Sequence, residues 1–377
     1  MNKIIIATDS FKGSLSAPEA CSIIAGQAER IFPQAEIVQL PISDGGEGLV
    51  EVVFRALGGE RRLVHTLDPL GREISTVYLQ LADGSALIEM AGAGGLTLLD
   101  PSDYDPLRTS TYGVGLMILD AIKACVDPIY IGLGGSATVD GGIGAATALG
   151  MRFLDQLGKN VTSGGGLRNI QTIDACEMLE LNHSGKLIFL TDVNNPLCGP
   201  NGAAEIFGPQ KGATPEQVEQ LDQGLQSLAG LICRETGLEL QDLPGIGAAG
   251  GFALPFVAFM GAEIRSGIEF VLDVLQFDKE LVGSNLVITG EGRTDAQSAM
   301  GKAISEVARR AHAAGVRVAV ISGALGEGAE KMLALGVDDL IQATPDGQSL
   351  QDALAHASKN LANAAYDYLE ELKSEEG

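Results

Sequence analysis

The chain predicts an α/β fold of two α/β domains: a doubly wound domain built from both chain ends, and an inserted middle α/β domain with a mixed sheet. Three observations carry this. Strand-like and helix-like patterns alternate over the first part of the chain. Near Leu63 that rhythm gives way to consecutive strand patterns joined by turn signals, and near Asn285 it returns. The expected division is residues 1–62 and 286–377 against residues 63–285, with the site in the cleft between. At 377 residues the chain also exceeds the ~250–300 that one core usually organises.

Lys3–Thr8, KIIIAT, reads as a buried strand. Ser16-Ala17-Pro18-Glu19 has the capping-box spacing, with proline in the first turn, and predicts a helix over 17–31. AEIVQL at 35–40 is the second strand, and the helix expected over 49–57 stops at Gly58-Gly59. Runs at 63–67, 74–81 and 85–90 are strands joined by Asp68-Pro69-Leu70-Gly71 and Asp83-Gly84 turns. A helix over 111–125 feeds a strand at 129–131 and an Ala-rich helix at 144–151; residues 151–161 read as a short hairpin. KLIFLT at 186–191 is a strong strand, and Thr214-Pro215-Glu216-Gln217 opens a long helix to about Glu235 with a second capping box. Gly245–Ala262 is uncharged and about as long as the shortest transmembrane helices. Its glycines, Pro255 and lack of basic flanks predict a buried helix beside a Gly-rich loop instead. Strands at 285–289, 316–322 and 338–342, with helices at 302–313, 327–335 and 349–372, complete the chain.

The chain carries 49 acidic and 25 basic residues, a formal charge of -24. This excludes a nucleic-acid partner, which needs a basic face, and an anionic membrane. It leaves an anionic small substrate open, because a local site can invert the global field. Five scattered cysteines form no CxxC, and no leader-like segment precedes the first strand, so a reduced, cytoplasmic protein is expected.

Open α/β sheets bind ligands beyond the carboxyl ends of their strands. Asp9, Ser10 and Lys12 follow the first strand, and a lysine among small residues can meet a phosphate. Asp44-Gly45-Gly46-Glu47-Gly48 follows the second. After the strand at 129–131 comes GLGGSATVDGGIG: strand, glycine loop, helix, the geometry in which backbone N–H groups and a helix N-terminus meet an anion. Gly134 and Gly135 would supply the backbone, and Ser136 and Thr138 hydroxyls. Asp140 would repel a bare phosphate, which implies Mg²⁺ between them. A tight turn would need the same glycines; the recurrence of such loops favours function. Asp192 and Asn194 follow KLIFLT, Lys211 lies in the loop before the second capping box, and GEGRTD places Gly290, Gly292, Arg293 and Asp295 after the returning strand, ahead of Lys302. Strand-end carboxylates, glycine loops and a few lysines are the parts phosphoryl transfer requires. HExxH, GxSxG and GxxxxGK[ST] are absent, and no strand ends cleanly before the GxGxxG of PGIGAAGG.

The segments DSFKGSLSAPEA, PISDGGEG, TYGVGLMILDA, GLGGSATVDGG, TDVNNPLCGPNGAAEIFGPQKGA, PGIGAAGG and GEGRTDAQSAMGKA, spanning Asp9–Ala303, resemble the bacterial glycerate kinase family in content and order. Val139 stands where the family pattern has Asn. The glycine loop alone is also similar to that of the GHMP small-molecule kinases, but its surroundings are not. The resemblance implies a Rossmann-like terminal domain and ATP-dependent phosphorylation of D-glycerate. The expected product is 2-phosphoglycerate; a 3-kinase or another sugar-acid kinase is the alternative, and a non-catalytic sugar-acid-binding protein a remoter one. ATP and Mg²⁺ are the expected cofactors, and a monomer or homodimer the expected state. Asp192 is the expected base, with Asp44 and Asp295 as the other candidates. Asp44, Asp295 and Asp140 are expected near Mg²⁺, and Lys12 is expected to neutralise charge. Asp9, Ser10, Glu47, Asn194, Arg293 and Lys211 would bind substrate; Gly134, Gly135, Ser136, Thr138, Gly290 and Gly292 would meet the nucleotide phosphates.

Overall fold

The computed structural model describes residues 1–43, 45, 46, 48–181, 185–299 and 303–376. It has the expected α/β fold and divides into two units, Met1–Asp44 with Ile268–Gly377, and Gly45–Gly267.

The terminal unit is built on a five-stranded parallel sheet in the order Asp339–Gln342, Arg317–Ser322, Leu286–Gly290, Lys3–Thr8, Glu36–Gln39. Numbered along the chain this order is 5-4-3-1-2, so the winding reverses between Lys3–Thr8 and Leu286–Gly290. That is the switch point at which such sheets open a crevice. The register pairs Thr8 with Gly290, so Asp9 and Glu291 leave the sheet side by side. Ile4, Ile6, Leu286, Ile288 and Ile321 pack under helices Ala17–Ile31 and Ala357–Glu376. Ile5, Val287, Val318 and Val320 alternate with them and are equally buried, so both faces are covered. The capping box at Ser16 forms as its spacing requires.

The middle unit has a six-stranded mixed sheet. Glu263–Arg265, Leu187–Leu190, Ile129–Gly132 and Ala86–Glu89 run parallel; Glu73–Gln80 and Glu60–Leu67 continue it antiparallel. Phe189, Phe252 and Phe256 meet with ring centroids 5.5–5.6 Å apart at the centre of its core. The second capping box, at Thr214, opens helix Pro215–Thr236.

Three expectations are corrected, and the 151–161 hairpin is extended. Residues 151–161 do close on themselves, Asp155 N donating to Lys159 O and Val161 N to Phe153 O, with an antiparallel bridge of Leu154 to Asn160. Asp155 Oδ1 collects the N–H groups of Leu157 and Lys159 in the turn, and Arg152–Asp155 also pairs with Ile170–Asp174. As expected, residues 245–262 place a helix with a buried face, Leu254–Met260, beside a glycine-rich turn at 248–251 with left-handed Ala249 and Gly250. No helix among the described residues is long and apolar enough to cross a membrane. Residues 329–335 form a 3₁₀ run rather than an α-helix, and the last helix is two, Leu350–Ala355 and Ala357–Glu376, broken at His356. The units divide at 44/45 and 267/268 rather than at 62/63 and 285/286. Helix Leu49–Leu57 packs on strands Ala86–Glu89 and Glu73–Gln80, whereas the segment before Leu286 is tied to the N-terminus by Lys3 Nζ–Glu280 at 2.6 Å and by Asn285 Oδ1 accepting from Asn2 N.

Candidate active site

A cavity of about 530 Å³ opens in the terminal unit at the carboxyl ends of the parallel strands. Its polar side is made by the two loops that meet at the switch point, with Asp9, Ser10 and Lys12 on one and Glu291, Gly292, Arg293 and Asp295 on the other. Asp9 N donates to Gly290 O at 2.9 Å, extending the ladder one step, and Asp9 Oδ1 accepts from Ser10 N at 2.6 Å. The loop then closes on itself, Phe11 N donating to Leu15 O, and leaves Lys12 exposed. On the facing loop, Glu291 Oε1 accepts from the hydroxyls of Thr294 and Ser298. Arg293 Nε lies 3.5 Å from Asp295 Oδ2, while Asp295 Oδ1 accepts from Gln297 N at 2.9 Å.

The two glycines of this loop differ. A Cβ on Gly290 would stand 1.9 Å from Ile321 O of the adjacent strand. Strand packing demands that glycine, and Gly290 does not line the cavity. Gly292 does line it, and a Cβ there would sit 3.2 Å from Lys12 N, so its bareness lets the two loops approach. Glu291 is not among the residues expected from the sequence. Its signal was the one that singled out Asp9, an acid immediately after a buried strand.

In the middle unit, Asp192 follows Leu187–Leu190. Its Oδ1 accepts from Ser266 Oγ at 2.7 Å and Gly267 N at 2.9 Å, which orients the half-buried carboxylate. Asn194 is exposed two residues on. The loop after Ile129–Gly132 surfaces at Gly134 and Gly135, then dives inward. Gly135 O accepts from Leu96 N and Ala137 N donates to Gly94 O, pinning the loop to the chain at 94–96. Ser136 Oγ and Thr138 O both accept from Lys211 Nζ at 2.7 Å. Lys211 is only 2% exposed; burial pulls its pKa down to about 7, against the opposing charge of Asp140.

Asp140 itself has no exposure. Its Oδ2 accepts from Thr111 N and Oγ1, both at 2.8 Å, and from Gly144 N at 3.3 Å; its Oδ1 accepts from Gly142 N at 3.1 Å. Burial raises its pKa while these bonds pull the other way. Three expected roles are therefore corrected. Asp140 fastens the starts of helices Tyr112–Lys123 and Ile143–Ala148 and has no face toward a metal. Thr138 is wholly buried and does not reach a phosphate. Lys211 braces the glycine loop from inside rather than meeting substrate. Val139 points into the same core. Asp44, Glu47 and Lys302 lie outside the described residues.

Among the described residues no three His, Cys, Asp or Glu side chains are gathered to hold a metal alone. Mg²⁺ in phosphoryl-transfer sites is usually held by one or two carboxylates plus substrate phosphates. Asp9, Glu291 and Asp295 around the cavity are oxygen donors of that kind.

Comparison with known proteins supplies the class and then the family. A sequence model described as the glycerate kinase family matches residues 4–373. The chain is 41% identical over 367 residues to a glycerate kinase of Halalkalibacterium halodurans, covering 97% of each chain. It is 39% identical over 368 residues to the glycerate 2-kinase of Escherichia coli, covering 96% of each. The crystal structure of a Salmonella typhimurium LT2 protein, provisionally assigned as glycerate kinase 2, matches with a TM-score of 0.83 at 40% identity, covering 100% of this chain and 99% of that one. The protein is a kinase. It belongs to the glycerate kinase family.

Proposed function

We propose that this protein transfers the terminal phosphoryl group of ATP to the 2-hydroxyl of D-glycerate, giving 2-phosphoglycerate and ADP. The observation that carries the reading is near-full-length similarity to relatives named for glycerate, one of them named a glycerate 2-kinase. The oriented carboxylate of Asp192 supports it, because an alcohol is a poor nucleophile at neutral pH and a positioned base should take its proton as transfer proceeds. The two donors on Asp192 Oδ1 fix the plane of that carboxylate before substrate arrives. Lys12 and Arg293 offset negative charge on the transferred group or on the glycerate carboxylate. Ser10 and Asn194 are hydrogen-bonding groups for the acceptor, and Asp9 and Glu291 shape the polar side of the cavity. Gly134 and Gly135, at the surface tip of their loop, remain candidates for contact with phosphate, whereas Ser136 Oγ is held inside by Lys211 Nζ. Asp295, together with Asp44 and Glu47, would hold Mg²⁺ or orient substrate; the ion, when bound, supplies neutralisation of phosphate charge.

Incubation with Mg-ATP and D-glycerate, followed by phosphorus NMR of the product, tests the reading. The 2-phosphoglycerate resonance with stoichiometric ADP is expected. A 3-phosphoglycerate resonance contradicts the regiochemistry, and absence of ADP contradicts the activity.

A further inference from the structure

The cavity of the terminal unit has a second wall, unlike the polar loops at the switch point. Helix Leu350–Ala355, capped by Ser349 Oγ accepting from Asp352 N, lies over the loop at Gly13, where a Cβ would be 3.8 Å from the Leu354 side chain. Leu350 and Leu354, one helical turn apart, are 76% and 39% exposed, and both line the cavity. Single exposed leucines are ordinary on a protein surface; a pair on the wall of one cavity is a platform. Ala353 and Ala357 beside them are small and leave a slot.

The slot also carries an amide pair. Asn360, 8% exposed, donates from Nδ2 to Gln348 Oε1 at 3.0 Å, and both residues line the cavity. That bond leaves a Gln348 N–H to donate and the Asn360 carbonyl to accept. Exchanging N and O in both amides leaves the same complement, one donor and one acceptor. A flat heterocycle with an acceptor nitrogen next to an exocyclic amino group, as on the edge of adenine, is its match. Size separates the two substrates. At about 530 Å³ the cavity falls within the ~300–1,000 Å³ of sites for whole cofactors and is far larger than a three-carbon acid needs. Glycerate is also polar on every side and gains nothing from a leucine wall.

We infer that this slot takes the adenine base of the nucleotide, packed against Leu350 and Leu354 with its edge on Gln348 and Asn360 and its phosphates toward Lys12 and Gly292. The inference rests on the kinase reading above and specifies where the nucleotide sits.

Calorimetric titration of the full-length protein with ADP, beside glycerate KM measured at saturating ATP, tests it. Ala357→Phe fills the slot and should weaken ADP on the order of tenfold. Gln348→Ala, a half-buried change that leaves the core intact, should weaken ADP about three- to tenfold, with glycerate KM held within about twofold. No ADP binding to the wild type, unchanged ADP affinity in both variants, or a rise in glycerate KM with ADP affinity intact overturns the slot. ADP binding that is lost in the variants of a protein unable to phosphorylate glycerate would instead remove the proposed activity and leave the slot standing.

Discussion

The loops around the terminal cavity and the loop at 133–142 of the middle unit have the same vocabulary: glycines, an acid, hydroxyls and a nearby lysine. They use it in opposite ways. In the middle loop the chain answers its own groups, with four donors on Asp140 and two oxygens on Lys211, none open to solvent. In the terminal loops Lys12 and Arg293 are exposed, and Asp9, Glu291 and Asp295 are half-buried beside a cavity. A buried ionised group must be satisfied within the fold or its desolvation cost is prohibitive. A group facing a cavity can keep part of its charge for a ligand. Position after a strand is common to both and does not separate them.

The largest effect expected on the closed side is that of Asp140→Ala. Removing the carboxylate strands buried N–H and O–H donors, and thermal denaturation should show a loss of about 3–5 kcal/mol. A loss no larger than that of a surface substitution would break the comparison. Next is Gly290→Ala in the terminal unit. The 1.9 Å approach to Ile321 O forces two central strands apart, costing about 1–3 kcal/mol in stability. Unchanged stability with a raised ATP KM would return Gly290 to the phosphate.

Lys211 gives a pH signature. Its pKa falls from 10.5 to about 7 on folding, so between these values the unfolded chain binds more protons and stability rises with pH. Lys211→Met has no such titration. The wild-type-minus-variant stability, from denaturant melts, should be flat below about pH 6 and climb toward about pH 10. A difference that is flat or falling through that window would place Lys211 in solvent contact, as on the open side. The smallest effect is Arg293→Ala. Arg293 is mostly exposed, so loss of its pair with Asp295 should change stability by no more than about 1 kcal/mol. Glycerate or ATP KM should move instead.

Much of the fold was legible because it is written in local chemistry. Both capping boxes announce their helices at Ser16 and Thr214, and KIIIAT, KLIFLT and the strand at 286–290 are apolar runs that only a covered sheet accommodates. The failures are non-local. Nothing in residues 151–161 reveals that Arg152–Asp155 will find Ile170–Asp174. Nor does the apolar face of Leu49–Leu57 say which sheet it will cover. Among the candidate residues, the pattern of an acid after a strand located Asp9, Asp192 and Asp295, and applied directly after Gly290 it would have given Glu291. It could not warn that Asp140 is enclosed, because the donors that enclose it come partly from Thr111, 29 positions away. The leucine and amide wall at 348–360 has no motif at all; it exists only because the chain end packs beside the switch point.

The distinction between a closed and an open carboxylate is tested most directly by one paired measurement, the melting temperature and kcat of Asp140→Asn and Asp192→Asn side by side. Asp140→Asn keeps shape but turns an N–H toward a buried donor. It should lower stability by about 1–3 kcal/mol and leave kcat per folded molecule near normal. Asp192→Asn keeps an acceptor for Ser266 and Gly267 and loses the base, so its melting temperature should hold while kcat falls about 10²–10⁴-fold. The reverse pattern, with kcat lost at Asp140 and retained at Asp192, would contradict the account.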